Sequence, residues 1–328
     1  MSTTLVLPIV MLLIGLALLV WSSDFFIDGA ASTAVRYKVS PLIIGVVIIG
    51  FGTSSPEIVV SIVASLEGNP SLAIGNAVGS NITNIGLVLG ITALMAPLVI
   101  KSSVLKREMP ILVIVTGLGL ALLMDHKLSA IDGVILLSML FSVLGWMIYK
   151  NKNIKSDDPL AHDINHELQS LPKLTKTRAI FYLVGGIIVL TISARMMVWG
   201  AVEIAEYFDV PDLVIGLTII AIGTSLPELA AAISAALKNE VDMMIGNILG
   251  SNLFNILAVL AVPSLLAPSL IDIEVLQRDY PIMLAFTVAM LLVALPRKGN
   301  AVISRIEGFL LLTLFVGYLT LLYFNTVH

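Results

Sequence analysis

One 48-residue stretch occurs twice in the chain. Residues 42–89 and 213–260 align without a gap at an offset of 171, with 23 of 48 positions identical. The identities gather at polar and helix-breaking residues, GTSxPE followed by GNxxGSNxxN, within otherwise apolar sequence. A duplication of this length forces a fold made of two related halves. It also places a glutamate, Glu57 and Glu228, at the same point of each copy. The chain is 58% hydrophobic and 12% charged, with a mean hydropathy of +1.03. Soluble domains carry about 25% charged residues, so these glutamates lie in an integral membrane protein. An acid at membrane depth is costly and marks a functional site.

A helical span needs about 20 predominantly apolar residues. On that rule the sequence predicts an all-α membrane protein of ten transmembrane helices, roughly 4–31, 40–66, 71–97, 108–124, 129–150, 179–205, 211–237, 242–268, 279–295 and 301–324. The first 35 residues hold no Lys or Arg. Without a positive n-region, the first apolar run reads as a retained span rather than a cleaved signal. The one long polar stretch, 151–178, reads as a solvated linker between a first five-helix repeat, 1–150, and a second, 179–328. The duplication continues past the central copies. LKREMP at Leu105 returns as LQRDYP at the same offset, and Asp132-Gly133 returns as Glu307-Gly308 at an offset of 175.

Loop charges set the expected orientation. With ten spans, fifteen Lys and Arg fall in the loops of one face and two, Lys127 and Arg278, in the other; Arg195 alone sits inside a span. The positive-inside rule then puts the first face and the linker in the cytoplasm and both termini outside. Five is odd, so the second repeat enters the membrane from the opposite side. Inverted repeats with interrupted helices are typical of secondary transporters, whose site lies near the midplane between them.

The repeated motif supplies cation-binding chemistry. Pro56 lacks an N–H and clashes one turn back, and Gly50 and Gly52 loosen the same turn, so carbonyls around 50–53 are expected to be released. Irregular backbone at this depth is tolerated only where it is buried or lines a cavity. Ser54 and Ser61 share the face of Glu57 at i−3 and i+4. The second copy offers Gly223, Thr224, Ser225, Pro227 and Glu228, with Ala232 in place of Ser61. The next helix of each half carries a polar stripe, Asn76/Ser80/Asn84 and Asn247/Ser251/Asn255, beside the close-packing pairs Gly75/Gly79 and Gly246/Gly250. Two carboxylates with many neutral oxygens suit Ca²⁺ or Na⁺ better than Mg²⁺, which demands a tight octahedron.

These motifs, each present twice, resemble the α-repeats of the cation/Ca²⁺ exchanger superfamily, in particular prokaryotic Na⁺/Ca²⁺ exchangers, including the bacterial inner-membrane branch. The resemblance covers essentially the whole chain. It implies antiport of Na⁺ against Ca²⁺ by alternating access, with the ions as substrates, no cofactor and the lipid bilayer as surroundings. It assigns ion binding to Glu57 and Glu228, to Thr53, Ser54, Thr224 and Ser225, to Ser80 and Ser251, to Asn84 and Asn255, and to the carbonyls of Gly50 and Ala221. Some members, notably those that also transport K⁺, carry Asp where this chain has Asn255. The amide leaves two acids at the site.

Other readings compete. The glutamates could pair with a buried base, but Arg195 cannot serve both. The Asn/Ser stripes could be interhelical glue. Asp24 and Asp28 could line a vestibule, though pairing with Arg36 or solvation is the blander account, and Arg195, the counterpart of Asp24, reads as a tether. The acids of the linker lack EF-hand spacing. A Ca²⁺/H⁺ antiporter would use the same paired glutamates, and a passive channel would lack a closed midplane site. An enzyme is not expected: the four histidines fall in loops or at the terminus, with neither HExxH nor a Ser–His pair available. The chain has no cysteine, and no basic patch suggests nucleic acid.

Overall fold

The computed structural model describes residues 3–100, 108–152, 171–208, 221–296 and 301–327. The helices of the first half are α1 (Thr3–Tyr37), α2 (Pro41–Ile44), α3 (Gly50–Thr53), α4 (Ser55–Leu66), α5 (Pro70–Thr83), α6 (Gly90–Met95), α7 (Glu108–Leu123) and α8 (Ala130–Lys152). Those of the second are α9 (Lys176–Tyr207), α10 (Ala221–Thr224), α11 (Leu226–Leu237), α12 (Val241–Phe254), α13 (Ala261–Leu266), α14 (Tyr280–Val293) and α15 (Arg305–Val327). Four two-residue strands, β1 (Leu98–Val99), β2 (Lys127–Leu128), β3 (Ser269–Leu270) and β4 (Val302–Ile303), complete the order.

Among the described residues, seven continuous helical stretches are long and apolar enough to cross a membrane. The bent pair 41–53 and 55–66, which turns by 41° at its break, makes an eighth if it is counted as one span. At the other two expected positions stand α7, 16 residues, and α11, 12 residues, both shorter than a span. The stretch expected to begin the seventh span, 211–220, lies outside the described residues, as does most of the 151–178 linker. The linker expectation is trimmed at both ends, because α8 runs to Lys152 and α9 begins at Lys176.

The duplication is visible as structure. Helices α1 and α9, counterparts at the 171 offset, pack along their length and run antiparallel. Gly15 abuts Ser193 and Met197, Gly186 abuts Phe26, and Gly29 abuts Leu183. Gly15 and Gly29 are the repeat counterparts of Gly186 and Gly200, and a Cβ at Gly200 would stand 2.6 Å from the Pro8 carbonyl. These glycines let the two backbones approach closely.

The halves also interleave. Strand β1 pairs antiparallel with β4 (Leu98 opposite Ile303), and β2 with β3 (Leu128 opposite Ser269). The corresponding strands β1 and β3 thus each pair with a strand of the opposite half. Helices α8 and α15 begin with the same reciprocal capping box. Ser129 N–H and Oγ donate to Asp132 Oδ2 at 2.8 and 2.7 Å, and Ser304 N–H and Oγ donate to Glu307 Oε2 at 2.6 and 2.9 Å. The glycine after each box brings α8 against α13 and α15 against α6, so each closing helix packs on the other half.

Candidate cation-binding site

Each glutamate stands in the first turn of a helix that starts just after a break. Ser54 (φ −82°, ψ 3°) and Ser225 (φ −89°, ψ 6°) are the two non-helical residues, and Pro56 and Pro227 follow at the second helical position. Proline there lacks only an N–H that would have had no helical partner, and the helix N-terminus favours the adjacent carboxylate. The sequence expectation of released carbonyls is met only partly. The Gly50 carbonyl still accepts from Ser54 N–H at 3.0 Å and lies 3.5 Å from the Thr53 hydroxyl.

The sequence does not disclose the π-helical turns. Gly45–Ile49 precedes the first break, and Asn84–Leu89 and Asn255–Val259 open on the last asparagine of each GNxxGSNxxN motif. Such turns insert one residue into a helix and often stand at functional sites. Equivalent carbonyls in the two halves, Val88 and Val259, receive hydroxyls from different places. Val88 O accepts from Thr92 of its own helix at 2.7 Å. The counterpart of Thr92 is Pro263, which has neither hydroxyl nor N–H, and Val259 O accepts instead from Ser61 of the other half at 2.8 Å. Ser61, expected beside Glu57 as a possible ligand, is therefore committed to the backbone. Ala232 can replace it in the second copy because Val88 needs no outside donor.

Helix α12 packs backbone to backbone against the first helix pair of the other half. A Cβ on Gly45 would meet the Met243 carbonyl at 2.5 Å and one on Gly50 would stand 2.9 Å from Gly250. This contact brings the Asn247/Ser251/Asn255 stripe up to the first break. Thr53 Oγ1 lies 3.0 Å from Asn247 Oδ1 and 3.2 Å from Ser251 Oγ. Glu228 Oε1 accepts from Ser54 Oγ at 3.2 Å and from Ser251 Oγ at 3.4 Å, and Asn247 Nδ2 donates to the Glu228 carbonyl at 3.3 Å. Residues of both halves thus converge on one carboxylate. Glu57 has Glu228 and the Thr224 hydroxyl as its neighbours.

Glu57, Glu228, Thr53, Ser54, Ser80, Ser225, Ser251, Asn84 and Asn255 are all buried, and Thr224 is half-buried. Among the described residues neither glutamate has an ion-pair partner. Arg195 is exposed on α9 and serves neither. Among the described residues several oxygens have no hydrogen-bond partner: both of Glu57, Glu228 Oε2, Ser80 Oγ, Ser225 Oγ, Asn84 Oδ1 and Asn255 Oδ1. Leaving so many buried oxygens unmatched is expensive unless a cation is their partner. Six to eight oxygens is the shell Ca²⁺ takes. Three or more His, Cys, Asp or Glu do not gather anywhere among the described residues, so a transition-metal site has no candidate there.

One participant escapes sequence reasoning. Asn252, the asparagine of the second GSN, accepts from Asn84 Nδ2 at 3.4 Å and so joins the two stripes. Its signal is present, because Asn81 and Asn252 are identical positions of the duplication. Asn76 departs from the pattern: it is half-buried, and its amide nitrogen is unpartnered, whereas Asn247 bridges two elements. The corresponding environment of α5, residues 211–220, lies outside the described residues.

Comparison with known proteins agrees in family and fold. The family described as "Sodium/calcium exchanger protein" matches residues 7–149 and 178–324. The protein CaxA of Alkalimonas amylolytica is 46% identical over 96% of this chain and 98% of its own. The sodium/calcium exchanger MaX1 of Methanosarcina acetivorans is 30% identical over 95% and 97%. The solved structure of the sodium-calcium exchanger NCX_Mj soaked with zero Na⁺ and Ca²⁺ superposes with a TM-score of 0.81 at 32% identity, covering 97% of this chain and 99% of that one. Long apolar helices, two structural repeats and matches across nearly the full length have one reading: the chain is a membrane protein belonging to the sodium/calcium exchanger family.

Proposed function

We propose that the protein is a secondary antiporter that moves Ca²⁺ across the inner membrane in exchange for Na⁺ by alternating access. The observation that carries this reading is a pair of buried carboxylates, Glu57 and Glu228, one from each half, with no base beside them among the described residues and unpartnered oxygens around them. Two negative charges neutralise one Ca²⁺. The Na⁺ arm draws on the named relatives, one of which is a sodium/calcium exchanger. In this reading Thr53, Ser54, Thr224, Ser225, Ser80, Ser251, Asn84 and Asn255 complete the coordination with the carbonyls of Gly50 and Ala221. Residues 1–150 and 179–328 act as inverted halves, with the 151–178 linker in the cytoplasm and both termini outside, as the loop charges require.

The test is ⁴⁵Ca²⁺ uptake into proteoliposomes driven by an outward Na⁺ gradient. Uptake that saturates and collapses when the Na⁺ gradient is dissipated supports the exchanger. A second reading, Ca²⁺/H⁺ antiport, uses the same carboxylates as proton carriers. It replaces the first if a proton gradient drives uptake and a Na⁺ gradient does not.

A further inference from the structure

The repeat symmetry is broken at one place in a way that the ion site does not explain. Lys238 caps the C-terminal end of α11, ten residues beyond Glu228. Its Nζ donates to Asp28 Oδ1 at 2.8 Å and to the Asp24 carbonyl at 2.8 Å, and lies 3.6 Å from Asp24 Oδ1. Ser234 Oγ adds a 2.6 Å bond to Asp24 Oδ1. Arg36, the partner expected for these acids, instead donates to the Leu174 carbonyl at 3.3 Å. The cluster ties α1 to α11.

At the 171 offset the counterpart of Lys238 is Glu67 and that of Asp24 is Arg195, so the same two places carry the opposite charges. Glu67 caps α4 ten residues beyond Glu57. Here the symmetry fails. Among the described residues neither Glu67 nor Arg195 has an ion-pair partner, and both are exposed. While α1 packs along α11, the corresponding helices α9 and α4 scarcely touch. Both residues are poorly placed as they stand. An acid at a helix C-terminus opposes the helix dipole, and an arginine within an apolar helix needs a partner. Pairing them relieves both. Ten residues of helix is about 15 Å, half of a ~30 Å hydrocarbon core, so with inverted halves Lys238 and Glu67 point toward opposite membrane surfaces if the glutamates are central. Asp24 and Arg195 stand about 14 Å apart along the α1–α9 pair, Arg195 being level with Gly15.

We propose that Lys238 with Asp24 and Asp28 is a latch holding one face of the transporter closed, and that Glu67 with Arg195 is its charge-reversed counterpart on the other face, the two closing in turn. The inference rests on the alternating-access reading above. The formed latch joins Lys238 to two acids, with Ser234 donating to Asp24, whereas the counterparts of Asp28 and Ser234 are Trp199 and Val63, leaving the second latch a single ion pair.

The chain has no cysteine, so cross-linking reports cleanly. The pairs Asp28→Cys/Lys238→Cys and Glu67→Cys/Arg195→Cys, singly and together, are treated with a short bis-thiosulfonate in proteoliposomes and read by mass. Each pair is expected to link, and a four-cysteine chain to carry one link or the other but never both. Adding Lys238→Gln, or the milder Ser234→Ala, to the Glu67→Cys/Arg195→Cys chain should raise its link yield by about threefold, the scale of a partly exposed ion pair, whereas Lys238→Arg should not. Both links in one chain, no Glu67–Arg195 link in any background, or yields indifferent to Lys238→Gln and Ser234→Ala overturn the latch. Because the links are read by mass, alternating links without Na⁺-driven Ca²⁺ uptake would reject the exchanger reading and keep the latch.

Discussion

Glu57 and Glu228 are the same residue of a duplicated motif, yet they are held differently. Glu228 is braced: Ser54 and Ser251 donate to one of its oxygens and Asn247 holds its carbonyl. Among the described residues Glu57 has only the Thr224 hydroxyl near its carboxylate, with no hydrogen bond completed to either oxygen. The brace on Glu228 follows from packing. Helix α12 seats its glycines against Gly45 and Gly50, and so presses its asparagine and serines onto the junction where Ser54 and Glu228 meet. A fixed carboxylate beside an unbraced one gives the site an anchored wall and an adaptable wall. On the proposed function, such a site would take Ca²⁺ or Na⁺ in turn without rebuilding its frame.

The largest effect is expected where the comparison vanishes. Glu57→Gln and Glu228→Gln each remove one of two charges facing a cation. Losing one partner of a buried charge interaction costs about 2–5 kcal/mol, so transport in either variant should fall by about 100-fold or more in ⁴⁵Ca²⁺ flux while elution as a folded protein is unchanged. Equal losses show that bracing is not what makes the acids essential. Gly45→Ala attacks the contact that creates the difference. Its Cβ meets the Met243 carbonyl and Gly246 Cα at 2.5 and 2.9 Å, and overpacking of this kind costs about 1–3 kcal/mol, visible as a lowered melting temperature in detergent.

The serines before the prolines sharpen the contrast. Ser54→Ala deletes a hydrogen bond to a charged group as well as a candidate ligand, so Ca²⁺ affinity should drop roughly tenfold. Ser225→Ala removes a hydroxyl that has no partner in the site, and about a threefold loss is expected. The reverse order would mean that Ser54 does not brace Glu228. The smallest effect belongs to Ser61→Ala. It should cost about 1 kcal/mol of stability through the bond to Val259 O and leave Ca²⁺ affinity unchanged, since Ala232 already occupies the matching position. Pairing it with Pro263→Thr should restore stability.

Much of this architecture is legible in the amino-acid order alone. The break before each glutamate follows from Pro56 and Pro227, and the two-half arrangement follows from the 171 offset. The capping boxes of α8 and α15 announce themselves at the second offset, 175, in Asp132-Gly133 and Glu307-Gly308. What escapes depends on partners far away in sequence. Ser61 resembles a ligand because i+4 spacing puts it below Glu57, and its true acceptor, Val259 O, is exposed by a proline in the other half. Asp24 and Asp28 have Arg36 nearby on their own helix, but Lys238 is nearer in space. The π-helical turns have no signature in local propensity, because packing against the facing helix decides where the extra residue is absorbed. The helix expected at 108–124 stands at Glu108–Leu123, but a hydropathy window does not reveal the 41° break inside the second span.

The central claim is that two halves build one site. Calorimetric titration of Ca²⁺ into the detergent-solubilised protein at low Na⁺ tests it most directly. The account predicts one Ca²⁺ per chain, competed by Na⁺, and abolished completely by Glu57→Gln and equally by Glu228→Gln. Two Ca²⁺ per chain, with each substitution removing only one of them, would mean that each half binds its own ion and would contradict the account.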